Sequence, residues 1–189
     1  MAKDLNGIKC LSAVFVDPQT ILCGLENGHI VHGNLVARAN KECGLDKNTK
    51  FISHYSGVNC LNIHPRRNNV FLSTSYDCGS SLWSINYNTK NSPKHQFESF
   101  HVQNDCRWRP QIDSQFLSGN CNGEIQLWNI GINLDEPILS EKISDSSLSK
   151  ISWNSSGEIL AAGDLKGGIS VVRLPQPEKE ISLDEILFE

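Results

Sequence analysis

The 189-residue chain has no Cys-x-x-Cys pair, no basic stripe and no apolar run approaching 18 residues. Each absence excludes a class of function. A zinc site needs ligands in close pairs, and the seven cysteines at 10, 23, 43, 60, 78, 106 and 121 never supply one. His29 and His32 stand three apart on a strand-like segment, so they point to opposite faces and cannot chelate one ion together. Lysine and arginine are scattered, Arg66-Arg67 is the only tight basic pair, and the net charge is −4, so no nucleic-acid partner is expected. Without a long apolar run no membrane insertion is expected. Met1-Ala2-Lys3-Asp4 lacks the apolar core of a signal peptide, which makes reduced core cysteines in an intracellular protein the expectation. Helical periodicity is nearly missing before residue 178.

What the chain does have is a beat. Ile63, Trp108 and Trp153 sit 45 residues apart, each inside a short apolar run, while Trp83, Trp128 and Val172 form a second series at 45 and 44. Two independent markers in one register indicate repeats, and a period of 40–45 residues with strand-like segments is the mark of propeller blades. Four units superpose, at about 8–50, 51–100, 101–144 and 145–174, followed by an acidic tail over 175–189. Each unit reads strand, turn, strand, tight turn, strand. The tight turns carry residues that tolerate positive φ: Asn27-Gly28, Asp77-Cys78-Gly79, Asn122-Gly123 and Lys166-Gly167-Gly168. Fourth strands are expected at Gln96 to Phe100 and at Ile138 to Ile143. The fold class is therefore all-β, a partial propeller of about four blades. In the tail, Ser182-Leu183-Asp184-Glu185 has capping-box spacing; a short helix, a frayed terminus or a further strand from Ile181 are all open there.

The second unit places Asp77 six residues and Ser75 eight residues before Trp83, with His54 in the entering loop. The third places Asn122 six before Trp128, with His101 in the corresponding loop. These combinations resemble the WD-repeat family. The resemblance implies a hydrogen-bonded structural network of His, Ser, Asp and Trp inside a blade, made here of His54, Ser75, Asp77 and Trp83, and in part of His101, Asn122 and Trp128. Departures are plain. Ser84 and Asn129 follow the tryptophans where the family usually has aspartate, and the fourth unit has Val172 and Lys166 at the motif positions. The first and fourth units must then hold together mainly by apolar packing.

His54, Ser75 and Asp77 could also be read as a catalytic triad. A serine nucleophile needs an exposed elbow and an oxyanion hole, and the sequence offers neither sign. Partial repetition of the pattern in the third unit is what a structural device shows. No catalytic residue, cofactor or metal is expected, and the chain is read as non-enzymatic.

A closer similarity lies toward the C-terminus. Leu127-Trp128-Asn129, Asn133-Leu134-Asp135-Glu136-Pro137, Leu148 to Trp153, Ser156-Gly157 and Ala162-Gly163-Asp164 resemble the closing repeats of the cytoplasmic dynein intermediate-chain family. That resemblance implies a cytoplasmic, cytoskeleton-associated scaffold whose partners are the dynein heavy chain and other dynein subunits. An unrelated WD-repeat adaptor is the alternative. Four units are fewer than such propellers usually have, and three outcomes are open for the outermost faces: completion by missing sequence, completion by another chain, or closure as a small ring, for which the sequence offers no special support.

Overall fold

A computed structural model describes residues 7–35, 44–52, 54–85 and 92–175. All the elements among them are strands: β1 (Cys10–Asp17), β2 (Thr20–Leu25), β3 (His29–Asn34), β4 (Gly44–Ile52), β5 (Val58–His64), β6 (Arg67–Ser75), β7 (Gly79–Ser84), β8 (His95–Glu98), β9 (Gln103–Trp108), β10 (Gln115–Asn120), β11 (Glu124–Asn129), β12 (Leu139–Lys142), β13 (Leu148–Trp153), β14 (Ile159–Asp164) and β15 (Ile169–Arg173). They form four sheets in the orders β1-β2-β3-β4, β5-β6-β7-β8, β9-β10-β11-β12 and β13-β14-β15. Neighbouring strands run antiparallel, as short hairpin connections require. This is an all-β architecture of four antiparallel sheets of three or four strands, consistent with a partial WD-repeat propeller. The spacing marks no fourth strand in the first repeat, yet β4 supplies one there. The Ser182 capping box lies outside the described residues.

The chain divides into two compact units, 1–96 and 97–189. In the first, the first two blades pack face to face. Val16, Leu22, Ile30 and Phe51 of the first meet Val58, Leu61, Phe71, Trp83 and Ile85 of the second. Phe51 presents its edge to both Phe71 and Trp83, with centroids 5.4 Å away in each case. In the second unit, Leu117, Ile125 and Leu127 of the third blade meet Leu148, Ile151, Leu160, Ala162 and Leu174 of the fourth.

The residue pattern explains which strands are covered. β6 is buried from Val70 to Ser75 and β10 along its whole length, and both carry apolar or small residues at successive positions. β14 and β15 alternate instead, with Leu160, Ala162 and Val172 on the covered side and Ile159, Ala161, Ile169 and Val171 on the other. Paired register makes Ile169 the counterpart of Ile125 and Val171 that of Leu127. Ile125 and Leu127 are 0% and 5% exposed, whereas Ile169 and Val171 are 78% and 69% exposed. In the first unit, Phe15 and Leu11 of β1 are exposed.

Candidate functional site

Polar side chains converge on the tight turn of the second blade. His54, in the loop before β5, is buried, and its Nδ1 lies 3.0 Å from Asp77 Oδ2. Its Nε2 lies 2.7 Å from Ser73 Oγ, and Trp83 Nε1–H donates to the same oxygen at 2.8 Å. Asp77 also accepts the Tyr55 N–H at 2.9 Å and the Gly79 N–H at 3.0 Å. An ionised carboxylate only accepts, so Nδ1 carries the proton in the neutral imidazole and Nε2 receives the Ser73 hydroxyl proton. The bonds thus run in one direction from indole to hydroxyl to imidazole to carboxylate. They tie the third strand, the second strand, the entering loop and the hairpin turn together.

Burial pushes the Asp77 carboxyl up, but the His54 hydrogen bond and the Tyr55 and Gly79 amides outweigh it, and the pKa falls to about 2.

The serine in this chain is Ser73, not Ser75. Trp83 stands opposite Phe71 in the β6–β7 register, so its long indole reaches the diagonal neighbour two residues along, which is Ser73. Ser75 lies at the end of β6, where its hydroxyl donates to the Ser56 carbonyl at 2.9 Å and accepts the Asp77 N–H at 3.2 Å. Counting ten residues back from the tryptophan instead of eight would have found the right position. Ser73 is fully buried between two ring systems, a place where a hydroxyl bridges rather than attacks.

The third blade keeps the aromatic part of the arrangement and changes the polar part. Trp128 stacks on Phe116 at 6.0 Å and 6°, as Trp83 stacks on Phe71 at 5.7 Å and 7°. Phe97 lies 4.9 Å from Trp128. Ser118 corresponds to Ser73 by register, but its buried hydroxyl has no hydrogen-bond partner. Asn122 Nδ2 donates to Glu124 Oε1 at 2.8 Å, and Asn120 Nδ2 donates to Glu124 Oε2 at 2.9 Å. These bonds, Asn120's first, and the nearby His101 and Lys142 charges hold the Glu124 carboxyl below its ordinary range against a smaller effect of burial. The His101 carbonyl accepts from Gln103 at 3.0 Å, and its N–H donates to Ser99 Oγ at 3.4 Å. In the fourth blade Asp164 caps the turn, accepting from Ser144 Oγ at 2.6 Å and from the Gly168 and Lys166 amides at 2.7 and 2.9 Å.

Two residues that the repeat pattern does not mark join the third and fourth blades. Asp105, 1% exposed, accepts the Ile151 N–H at 3.0 Å and pairs with Arg107 at 3.2 Å and Lys150 at 3.4 Å. Arg109, also 1% exposed, donates to the carbonyls of Gly157 at 2.7 Å and Pro175 at 2.8 Å and to Gln115 Oε1 at 2.8 Å. Its guanidinium stands 5.3 Å over the Trp153 ring. The alternation Arg107-Trp108-Arg109 places the arginines on the face opposite Trp108, and that face meets the fourth blade.

No group of three or more His, Cys, Asp or Glu suited to a metal ion occurs among the described residues. No helix among them is long and apolar enough to cross a membrane. Exposed large side chains are concentrated on the uncovered blade faces and in loops, where Tyr55 is 95% and Phe100 fully exposed.

No protein-family model matches the chain. It is 24% identical over 180 residues, 91% of its length, to dynein axonemal intermediate chain 2 of Xenopus laevis. It is 24% identical over 125 residues, 65% of its length, to dynein intermediate chain 2, ciliary, of Heliocidaris crassispina. These matches span 29% and 17% of the two relatives' own lengths. The chain is thus distantly similar to dynein intermediate chains.

Proposed function

We propose that this chain is a non-catalytic, dynein intermediate-chain-like subunit segment that scaffolds a microtubule motor by binding dynein heavy chain and other dynein subunits. The observation that carries the reading is the similarity to an axonemal intermediate chain across 91% of the chain, in a protein folded as consecutive blades. Both relatives are ciliary or axonemal chains, which favours that type over the cytoplasmic one suggested by the closing repeats.

The blade geometry supports a binding platform over an enzyme. His54, Asp77 and Ser73 form a buried chain that ends on an indole, and Ser75 bonds to a backbone carbonyl. In this reading His54, Asp77 and Trp83, joined through Ser73, brace the loops against which a partner docks. Asn122, Trp128 and His101 do so by other bonds in the third blade. Further blades, from the same polypeptide or from another chain, cover Ile169 and Val171 of the fourth blade and Phe15 and Leu11 of the first. Each large apolar side chain so covered contributes about 1.5–3 kcal/mol.

Affinity purification of the tagged chain from its source cell tests the proposal. Dynein heavy chain among the retained proteins is the expected result, and its absence overturns the reading. Recovery of a different complex would favour the unrelated WD-repeat adaptor, which the departures at Val172 and Lys166 also support.

A further inference from the structure

We propose that Cys10 and Cys23 form a redox-sensitive thiol pair on the first blade, which peroxide oxidises to a disulfide that clamps β1 onto β2. Neither residue takes part in the functional proposal. The pairing register places the two side chains together. Cys10 stands opposite Leu25, Ser12 opposite Gly24 and Ala13 opposite Cys23. Directly paired residues share a face, and alternate residues on a strand return to it, so Cys10, Leu25 and Cys23 lie on one side of the sheet. Ser12 and Gly24 lie on the other side, against the second blade. There the Ser12 hydroxyl donates to the Val58 carbonyl at 2.8 Å, and a Cβ on Gly24 would meet the Val58 side chain. Leu11 is the extra residue of a register shift between Cys10 and Ser12. Across it the two cysteines are diagonal neighbours whose side chains hydrogen-bond.

Their surroundings give the two sulfurs different parts. Cys10 is exposed at the start of β1, and its thiol donates to the Ser12 carbonyl of its own strand at 3.2 Å. Cys23 is half-buried. Burial, then the charge and hydrogen bond of Cys10, push the Cys23 thiol up to about 11, so it stays protonated at neutral pH. Cys10 is therefore the sulfur that peroxide oxidises first, and Cys23 is the resolving thiol. In the first step the Cys10 sulfur takes one oxygen from hydrogen peroxide. The O–O bond breaks, one water leaves and a sulfenic acid remains. In the second step the Cys23 sulfur attacks the Cys10 sulfur. The S–S bond forms, the S–O bond breaks, and the hydroxyl leaves with the Cys23 proton as a second water. The two thiols lose two electrons in all, and the peroxide gains them. The other cysteines among the described residues are placed differently: Cys60 and Cys106 are buried, and Cys78 and Cys121 sit in the turns after β6 and β10.

Mass spectrometry of the full chain tests this. The reduced protein is treated with hydrogen peroxide, capped with N-ethylmaleimide and cut with trypsin. Cleavage after Lys9 and Arg38 releases one peptide that holds Cys10 and Cys23 and no other cysteine. The expected result is that this peptide weighs two hydrogens less than its reduced form and carries no maleimide. In Cys23→Ser, dimedone, which traps sulfenic acids, should label Cys10 about fivefold or more above the unmodified chain, because the resolving thiol is gone. Amide exchange over 10–16 in the oxidised chain should slow by about tenfold or more, with 115–129 unchanged. Full maleimide labelling of both cysteines, at a peroxide dose that converts free cysteine to cystine, overturns the proposal. So does a bond from Cys10 to any other cysteine, or equal dimedone labelling with and without Cys23. Should the variant fail to fold, the mass of the peptide from the unmodified chain decides.

Discussion

The second and third blades carry a tryptophan at the same place, yet they hold it differently. Trp83 and Trp128 both stack on the phenylalanine opposite, at nearly the same distance and angle. Only Trp83 feeds a chain of hydrogen bonds that ends on a carboxylate in the turn. In the third blade the equivalent hydroxyl, Ser118, is buried without a partner, and the turn is closed by Asn120, Asn122 and Glu124. The aromatic pair is therefore enough to build a blade, and the polar chain is an addition that anchors one loop. Large buried area outweighs any single net hydrogen bond, which explains why the first part can persist when the second changes.

The largest expected effects test the shared part. Trp83→Ala and Trp128→Ala should each destabilise by about 3–5 kcal/mol in urea unfolding followed by circular dichroism. A much smaller loss for one of them would break the equivalence of the two blades. Next comes the unshared part. Asp77→Ala should cost about 1–3 kcal/mol, because it strands His54 and two backbone amides, whereas Asn122→Ala should cost less than about 1 kcal/mol.

Acid should separate the blades in the same sense. The folded Asp77 pKa of about 2 lies below its unfolded value of 3.8, so its contribution is present above pH 4 and is lost as pH falls through the folded value. A melting curve series from pH 5 to pH 2 should therefore show a steeper loss in the unmodified chain than in Asp77→Asn. Equal slopes would remove Asp77 from the account. The smallest contrast lies at the turn itself. Cys78 adopts a φ of 69°, where the third blade has Gly123 at 83°. Cys78→Gly should raise stability by about 0.5 kcal/mol by relieving that strain. Gly123→Ala should lower it, since a Cβ there would meet the Ser144 carbonyl.

The blades themselves were readable in the chain because their markers repeat. Trp83 and Trp128 keep period, and the turns need residues that accept positive φ. β4 was not readable, since Gly44 to Ile52 is mostly polar and offers no alternation or marker residue. His54, Asp77 and Trp83 were readable from offsets alone, but Ser73 was not. Ser73, Thr74 and Ser75 are consecutive hydroxyls, and which one lies diagonal to the indole depends on the β6–β7 register, which sequence spacing does not fix. Asp105 left no signal, since its backbone partner Ile151 lies 46 residues along the chain, whereas the alternation Arg107-Trp108-Arg109 turns the arginines away from Trp108 toward the neighbouring blade or a rim without naming their partners.

A pair of double-mutant cycles bears most directly on the contrast between the blades: Trp83→Phe with Ser73→Ala, and Trp128→Phe with Ser118→Ala. Phenylalanine keeps the stack and removes the indole N–H, so the cycle isolates the polar link. The second blade should show a coupling of about 1 kcal/mol or more, with Ser73→Ala destabilising. The third should show none, with Ser118→Ala neutral or stabilising, since it removes a buried hydroxyl that bonds to nothing. Equal coupling in the two blades would contradict the account.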